Sequence, residues 1–225
     1  MAPRLWSAES AGAMKRIVVL ISGRGSNLEA LLAANVGGRI ELVVSNNPDA
    51  QGLAIARAHG VATEIVNHRD FPDRDSFDQV LADKIDGARP HLVVLAGFMR
   101  VLTSAFIDRF SGRIINIHPS LLPAFPGTRT HERALQEGVA LHGCTVHFVT
   151  PKLDHGPIIA QAAVPVRADD DVAHLAERVL QQEHRVLPQA IRWFLGERLS
   201  VHANRVQLRD AEYPENFLIS PELSS

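Results

Sequence analysis

Asn116 and His118 stand two residues apart at the end of the apolar run Ile114-Ile115-Asn116-Ile117-His118, and Pro119 follows at once. Successive side chains of an extended strand point to opposite faces, so this spacing puts the amide and the imidazole on one side. Together they can do acyl-type chemistry: the amide N–H stabilises an oxygen that gains negative charge while the imidazole moves a proton. Pro119 has no N–H and holds the residue before it extended, so the strand ends at His118. Open α/β sheets bind their ligands at that end of the strands. A structural histidine beside a polar strand terminus would explain the same residues. The second polar group and the proline-rich exit Pro119-Ser120-Leu121-Leu122-Pro123 favour chemistry.

Three other groups could serve that chemistry. Asp154 opens Asp154-His155-Gly156-Pro157. A carboxylate there could pair with His118, fix its tautomer and raise its pKa above the usual ~6.5, although an ordinary Asp-x-Gly turn has the same spacing. The turn Gly23-Arg24-Gly25-Ser26-Asn27 has the position and flexibility of a phosphate cradle, with backbone N–H groups of a helix N-terminus aimed at an anion. A tight strand-to-helix turn capped by Asn or Ser fits it equally. Glu183 falls on the stripe Val172, Leu175, Ala176, Val179, Glu183, Val186, Leu187, Ala190, which faces inward at helical spacing. A buried carboxylate needs a partner, either the hydroxyls or amine of a ligand or solvent at the end of the stripe.

Other chemistries fit less well. The glycine turn departs from the dinucleotide fingerprint, because Leu28 occupies the third glycine position and the second strand ends in Ser45-Asn46-Asn47 without an acid. It also lacks the lysine and spacing of a Walker loop. Ser120 has no Gly-x-Ser-x-Gly elbow around it. The chain has eleven histidines, yet no pair has metal-ligand spacing with a third ligand; His147 and Asp154 come nearest. No metal is expected.

These residues need a scaffold, and its pattern is regular. Ile17 to Ile21 is a short apolar run followed by the glycine turn and the helical pattern Leu28, Leu31, Leu32. Further strands are expected at 40–44, 62–66 and 91–95, separated by helices near 50–59 and 74–86, and a short helix over 103–110 leads to the strand of Asn116 and His118. This alternation predicts an α/β fold with a doubly wound, mostly parallel sheet. The extended runs 144–149 and 158–166 are joined too closely for a crossover helix, so they should pair antiparallel at the sheet's edge. A last helix over 171–193 opens on Asp169-Asp170-Asp171, and Pro188 should kink or break it. Residues 1–14 read as a disordered extension and 200–225 as a tail of undefined order.

The chain has 225 residues, a net charge of −2 and one cysteine, Cys144. One domain fits this length better than two, with no linker-like stretch to divide it. The charge offers no field for nucleic acid, and an intrachain disulfide is impossible. No stretch approaches the ~20 apolar residues of a membrane span, and no apolar secretory core precedes Met14. A cytoplasmic protein, monomer or homodimer, is expected, without nucleic-acid or membrane partners.

Four segments carry a family resemblance: Ile21 to Asn27, Val94-Leu95-Ala96-Gly97-Phe98-Met99-Arg100, Asn116 to Pro123, and Val146-His147-Phe148-Val149. From about Lys15 to Leu199 the chain resembles the phosphoribosylglycinamide formyltransferases, the folate-dependent enzymes of purine biosynthesis. The resemblance implies a Rossmann-like formyltransferase fold over 15–199. It further implies that the amine of glycinamide ribonucleotide attacks the formyl carbon of the cosubstrate 10-formyltetrahydrofolate. Asn116 would be the oxyanion donor, His118 the acid/base and oxyanion stabiliser, and Asp154 the carboxylate that orients His118 and raises its pKa. Gly25, Ser26 and Asn27 would hold the ribonucleotide's phosphate end, and Gln181, Gln182 and Glu183 its sugar or glycinamide end. Arg74, Met99, Arg100, Val101, Leu102 and Asn116, with the loop Thr150, Pro151, Lys152, Leu153, Asp154, would line the folate pocket.

Three positions depart from the family's pattern. His155 stands where a glycine is common, Arg129 where a histidine can occur, and Leu180 in place of a polar residue near Glu183. Two related formyl-handling enzymes are alternatives. The deformylase of formyltetrahydrofolate usually carries an N-terminal regulatory domain, and the methionyl-tRNA enzyme a C-terminal RNA-contacting domain; no room for either is expected here. A non-catalytic nucleotide-binding protein would account for the pocket but not for the trio Asn116, His118 and Asp154.

Overall fold

Strand β1 (Arg16–Ile21) is apolar at five successive positions because both its faces are covered, and Ile17 to Ile21 are fully buried. The structure, a computed structural model, describes residues 14–213 and Ser220. Around β1 lie β2 (Arg39–Ser45), β3 (Ala62–Ile65), β4 (Leu92–Leu95), β5 (Ile114–His118), β6 (Leu141–Phe148) and β7 (Ile158–Pro165). They form one seven-stranded sheet in the order β3-β2-β1-β4-β5-β6-β7. The first five strands are parallel, and β6 and β7 add antiparallel at the edge, as their short connection requires.

Side-chain alternation divides the core. Ile17, Val19 and Ile21 of β1 pack beneath α1 (Ser26–Ala33), α2 (Gln51–Ala58) and α6 (Val172–Leu195), while Val18 and Leu20 face α3 (Arg74–Gly87) and α4 (Ser104–Arg109). The chain builds outward from β1 to β3, then crosses to β4 on the other side. The switch point between β1 and β4 leaves a crevice at the carboxyl ends of the strands.

Helix α6 shows what burial can override. Pro188 lies inside it without interrupting it, so the expected break does not occur. A proline in a helix costs about 3 kcal/mol. Leu187, Ile191, Phe194 and Leu195 are buried on the same helix, each contributing about 1.5–3 kcal/mol, so the helix persists. Val172 of the expected stripe is instead exposed, next to the helix start, where Asp171 caps the N–H of His174 at 2.8 Å.

Two elements escape the pattern. Helix α5 (Thr130–Gln136) precedes β6, and residues 199–208 form a hairpin, β8 (Leu199–His202) and β9 (Arg205–Leu208), where periodicity fades. The hairpin turns through Ala203, which adopts φ 54°, a conformation usually flagged by Gly or Asn. The extension read over 1–14 lies, apart from Met14, outside the described residues, as does most of the tail beyond Tyr213. Among the described residues no helix is long and apolar enough to cross a membrane.

Arg178 anchors the start of α6 by gripping Asp170 through two 2.7 Å bonds. Those bonds hold the Asp170 carboxyl down at about 2. A depressed carboxyl adds stability that is complete above its unfolded pKa of ~3.9 and is lost as pH falls through the folded value; the gap is worth about 2 kcal/mol. The Arg167 N–H, 2.8 Å from the same carboxylate, keeps part of that effect, so Arg178→Ala should lower the unfolding free energy by about 1 kcal/mol at pH 7, and the deficit should shrink between pH 4 and pH 2 in urea titrations.

Candidate active site

Asn116 and His118 continue the row begun by Ile114 and face the α3/α4 side of the sheet, while Ile115 and Ile117 join the opposite core. The antiparallel pairing of β5 with β6 sets His147 directly across from Asn116 and Thr145 across from His118. Asn116 Nδ2 lies 3.2 Å from His147 Nε2, and His147 Nδ1 lies 2.9 Å from the carbonyl of Phe148. The carbonyl can only accept, so His147 carries its proton on Nδ1 and offers Nε2 to the amide. Burial pushes the His147 pKa down, more than the Phe148 carbonyl and Asp154 pull it up, which keeps the ring a neutral acceptor. One amide proton of Asn116 is thus fixed, and its geometry aims the other.

His118 is only 5% exposed and sits between two partners. Its Nε2 is 3.0 Å from the carbonyl of Phe125, which makes Nε2–H the donor. Its Nδ1 is 3.5 Å from Asp154 Oδ2. That carboxylate is held in turn by the N–H of Gly127 at 2.8 Å, and its other oxygen lies 4.0 Å from His147. A separation of 3.5 Å is an ion-pair contact, longer than a formed hydrogen bond. Nδ1 therefore remains available for a proton exchanged with a bound molecule.

The loop after β5 is pinned to keep these backbone groups in place. Thr145 Oγ1 donates to the Ser120 carbonyl at 2.7 Å and accepts from Leu122 N–H at 3.0 Å, and Ser120 Oγ donates to Ala124 at 2.6 Å. Behind Phe125, His142 stacks edge-on at 5.8 Å and pairs with His131 at 3.2 Å. Burial, with the charge of His131 second, holds the His142 pKa at about 4, so it is a neutral packing group.

A cleft runs from Asn116 across the α3/α4 face. Arg100, Val101, Leu102, Thr150, Pro151, Leu153 and Asp154 line it with Leu95, Phe98, Ile107, His147 and Val149. Of the residues expected there, Arg74 at the first turn of α3, Met99 and Lys152 lie outside this lining. Met99 instead donates its N–H to Ser22 Oγ at 2.7 Å, and Ser22 Oγ donates to Asn46 Oδ1 at 2.5 Å. One hydroxyl so ties together the ends of β1, β2 and β4. It also engages the amide that stands where a dinucleotide fold needs an acid.

The glycine turn forms the second part of the site. Gly25 precedes α1 with φ 82°, and a Cβ there would meet Gly52 Cα at 2.5 Å. Only glycine satisfies both constraints. No side chain caps α1, so the expected Asn or Ser cap is absent and the first-turn N–H groups stay open. Asn27 Nδ2 donates to Glu183 Oε2 at 2.7 Å, joining α1 to α6, and both residues are buried. Burial pushes the Glu183 carboxyl up, and the Asn27 bond and the Arg24 charge only partly oppose it. Asn27 Oδ1 is buried without a partner among the described residues. Gln181 is exposed and Gln182 accepts from Arg185, so neither joins this pair.

Residues 15–191 match the formyl transferase family. The chain belongs to that family. Phosphoribosylglycinamide formyltransferase of Escherichia coli (strain K12) is 47% identical over 202 residues, which covers 88% of this chain and 95% of that protein. Glycinamide ribonucleotide transformylase 1 of Symbiobacterium toebii superposes with a TM-score of 0.87 at 45% identity, covering 92% of this chain and 100% of that one. A formyltetrahydrofolate deformylase of Pseudomonas syringae pv. tomato gives a TM-score of 0.82 at 29% identity, over 88% of this chain and 67% of its own.

Two of the chain's departures from the family's pattern lie on its surface. His155 is exposed and points to a cavity of about 370 Å³ shared with Asp154, Asn204 and Arg205. Arg129 adopts φ 57° and pairs with Glu132. Cys144 is buried, and burial raises its pKa to about 12, so it is no nucleophile. Three contacts are not foreseen in the sequence: that of the His147 ring with Asn116, where His147 is weighed only as a metal ligand with Asp154, and those of the backbone groups of Phe125 and Gly127. Pairing the two strands in register would have found His147; the backbone groups carry no side-chain signal.

The Asn116–His147 bond gives a test. Phe in place of His147 keeps the ring volume but removes the acceptor, leaving the Asn116 amide unfixed. His147→Phe should lower kcat for formyl transfer about 10- to 100-fold, and His147→Gln, which restores an acceptor, should recover part of it.

Proposed function

We propose that the protein transfers a formyl group from 10-formyltetrahydrofolate to the amine of glycinamide ribonucleotide in purine biosynthesis. The observation that carries this reading is the convergence of Asn116, His118 and Asp154 at the end of β5. The glycine turn stands at the end of β1, two strands away in the sheet. Two strand spacings are about 10 Å, a distance a ribonucleotide spans from phosphate to glycinamide amine. On this reading Gly25, Ser26 and Asn27 hold the phosphate and Glu183 accepts from the sugar or glycinamide end. The cleft beneath Asn116 takes the folate, its apolar walls suiting a flat pteridine and Arg100 its polar edge.

In the reaction the amine nitrogen forms a bond to the formyl carbon, whose carbonyl oxygen becomes an oxyanion. The free Asn116 N–H and a proton on His118 Nδ1 stabilise it. When the bond to the folate nitrogen breaks, that nitrogen needs a proton and the new amide has one to lose. His118 Nδ1 is the side-chain site for this exchange, and Asp154 supplies the counter-charge to the imidazolium. The reading carries with it small-molecule partners and a cytoplasmic location.

The test is a spectrophotometric assay of 10-formyltetrahydrofolate turnover with and without glycinamide ribonucleotide. Turnover should require the amine and yield formylated ribonucleotide. Consumption at the same rate without any amine would make the protein a deformylase. Asn116→Ala and His118→Asn should each lower kcat about 100- to 1,000-fold, and Asp154→Asn should do so with an altered pH profile.

A further inference from the structure

A phosphate monoester carries nearly two negative charges, and the open first turn of α1 offers the equivalent of about +0.5. Glu183, bonded to Asn27 in the same corner, adds a carboxylate that works against an anion. Helix α6 supplies no compensating cation there. The residues one turn from Glu183 on its face are Val179, Leu180, Val186 and Leu187, all apolar. The charge deficit must be met from the turn itself.

Arg24 is placed to meet it. It lies between Gly23 and Gly25, one residue before the left-handed residue that opens α1, and it is exposed. It makes no hydrogen bond or ion pair with any described residue, whereas Arg39, Arg109, Arg129 and Arg178 each grip a carboxylate. The turn that carries Arg24 also carries Asn27, three residues on, whose bond to Glu183 ties this corner to α6. Asn27 Oδ1, buried and unpartnered among the described residues, marks the same corner as built for a ligand that brings its own donors.

We infer that Arg24 is a ligand of the substrate's phosphate and a determinant of preference for a phosphorylated acceptor. The guanidinium would close over the outer oxygens of the phosphate while the backbone N–H groups of the turn hold the inner ones. This rests on the proposed reading that the phosphate lies at Gly25 to Asn27.

Steady-state kinetics of the full chain, with glycinamide ribonucleotide and with its riboside lacking the phosphate, test the inference. Arg24→Ala should raise KM for the ribonucleotide roughly 10- to 100-fold and leave KM for 10-formyltetrahydrofolate within about two-fold. Arg24→Lys, keeping the charge without the fork, should fall between. With the riboside, wild type and Arg24→Ala should differ by less than about two-fold. An unchanged ribonucleotide KM in Arg24→Ala, while wild type still prefers the ribonucleotide, overturns the inference and leaves the phosphate placement standing. Equal impairment on both acceptors also overturns it. A wild type that uses the riboside as well as the ribonucleotide overturns the phosphate placement and the inference together.

Discussion

One hydrogen bond decides which atom of His118 can work. The carbonyl of Phe125, 3.0 Å from Nε2, takes the donor on that side, so the opposite nitrogen, Nδ1, is the one turned to Asp154. Were the ring flipped or the carbonyl displaced, the imidazole would present a different nitrogen and a different tautomer. The loop between β5 and α5 is therefore a working part of the site although it contributes backbone alone. Its carbonyls and amides are held by Thr145 and Ser120, both fully buried, and by Gln161 Nε2, which donates to the Leu122 carbonyl at 2.9 Å.

The change from parallel to antiparallel pairing at β5 completes the arrangement. A parallel neighbour on that edge would need a crossover and would run its side chains past β5 in another register. The antiparallel β6 instead returns after the loop and α5, and lays His147 against Asn116. Two neutral groups then fix two of the proposed trio: buried His147 aims the Asn116 amide, and the Gly127 N–H steadies the Asp154 carboxylate. On the other side of the switch point, the contact of Gly25 with Gly52 lets the turn approach α2 closely and leaves the first turn of α1 open.

Much of this was legible in the sequence. Apolar strands without alternation, from Ile17 to Ile21 and from Leu92 to Leu95, mark a sheet covered on both faces. The spacing of Asn116 and His118 gave their common face, and the break in the stripe of α6 gave Glu183 its inward position, which the bond to Asn27 now explains. What escaped did so for physical reasons. Phe125 and Gly127 act through backbone atoms that any residue carries. Pro188 signals a helix break locally, yet the burial of its neighbours outweighs that preference. Ala203 takes a left-handed conformation without the glycine that would announce a hairpin. Arg74, Met99 and Lys152 come from the resemblance, and their own surroundings do not gather them at the cleft.

On the proposed mechanism His118 works through Nδ1 because Nε2 is committed to Phe125. The direct measurement is nitrogen NMR of the protein labelled with 15N-histidine, followed across pH until the His118 nitrogens stop shifting at the alkaline end, with His118→Asn used to assign the resonances. A neutral His118 with its proton on Nε2 and an unprotonated Nδ1 is the expected result. A proton on Nδ1 and a bare Nε2 would contradict it, because the Phe125 carbonyl cannot be hydrogen-bonded to a nitrogen that has no proton to give.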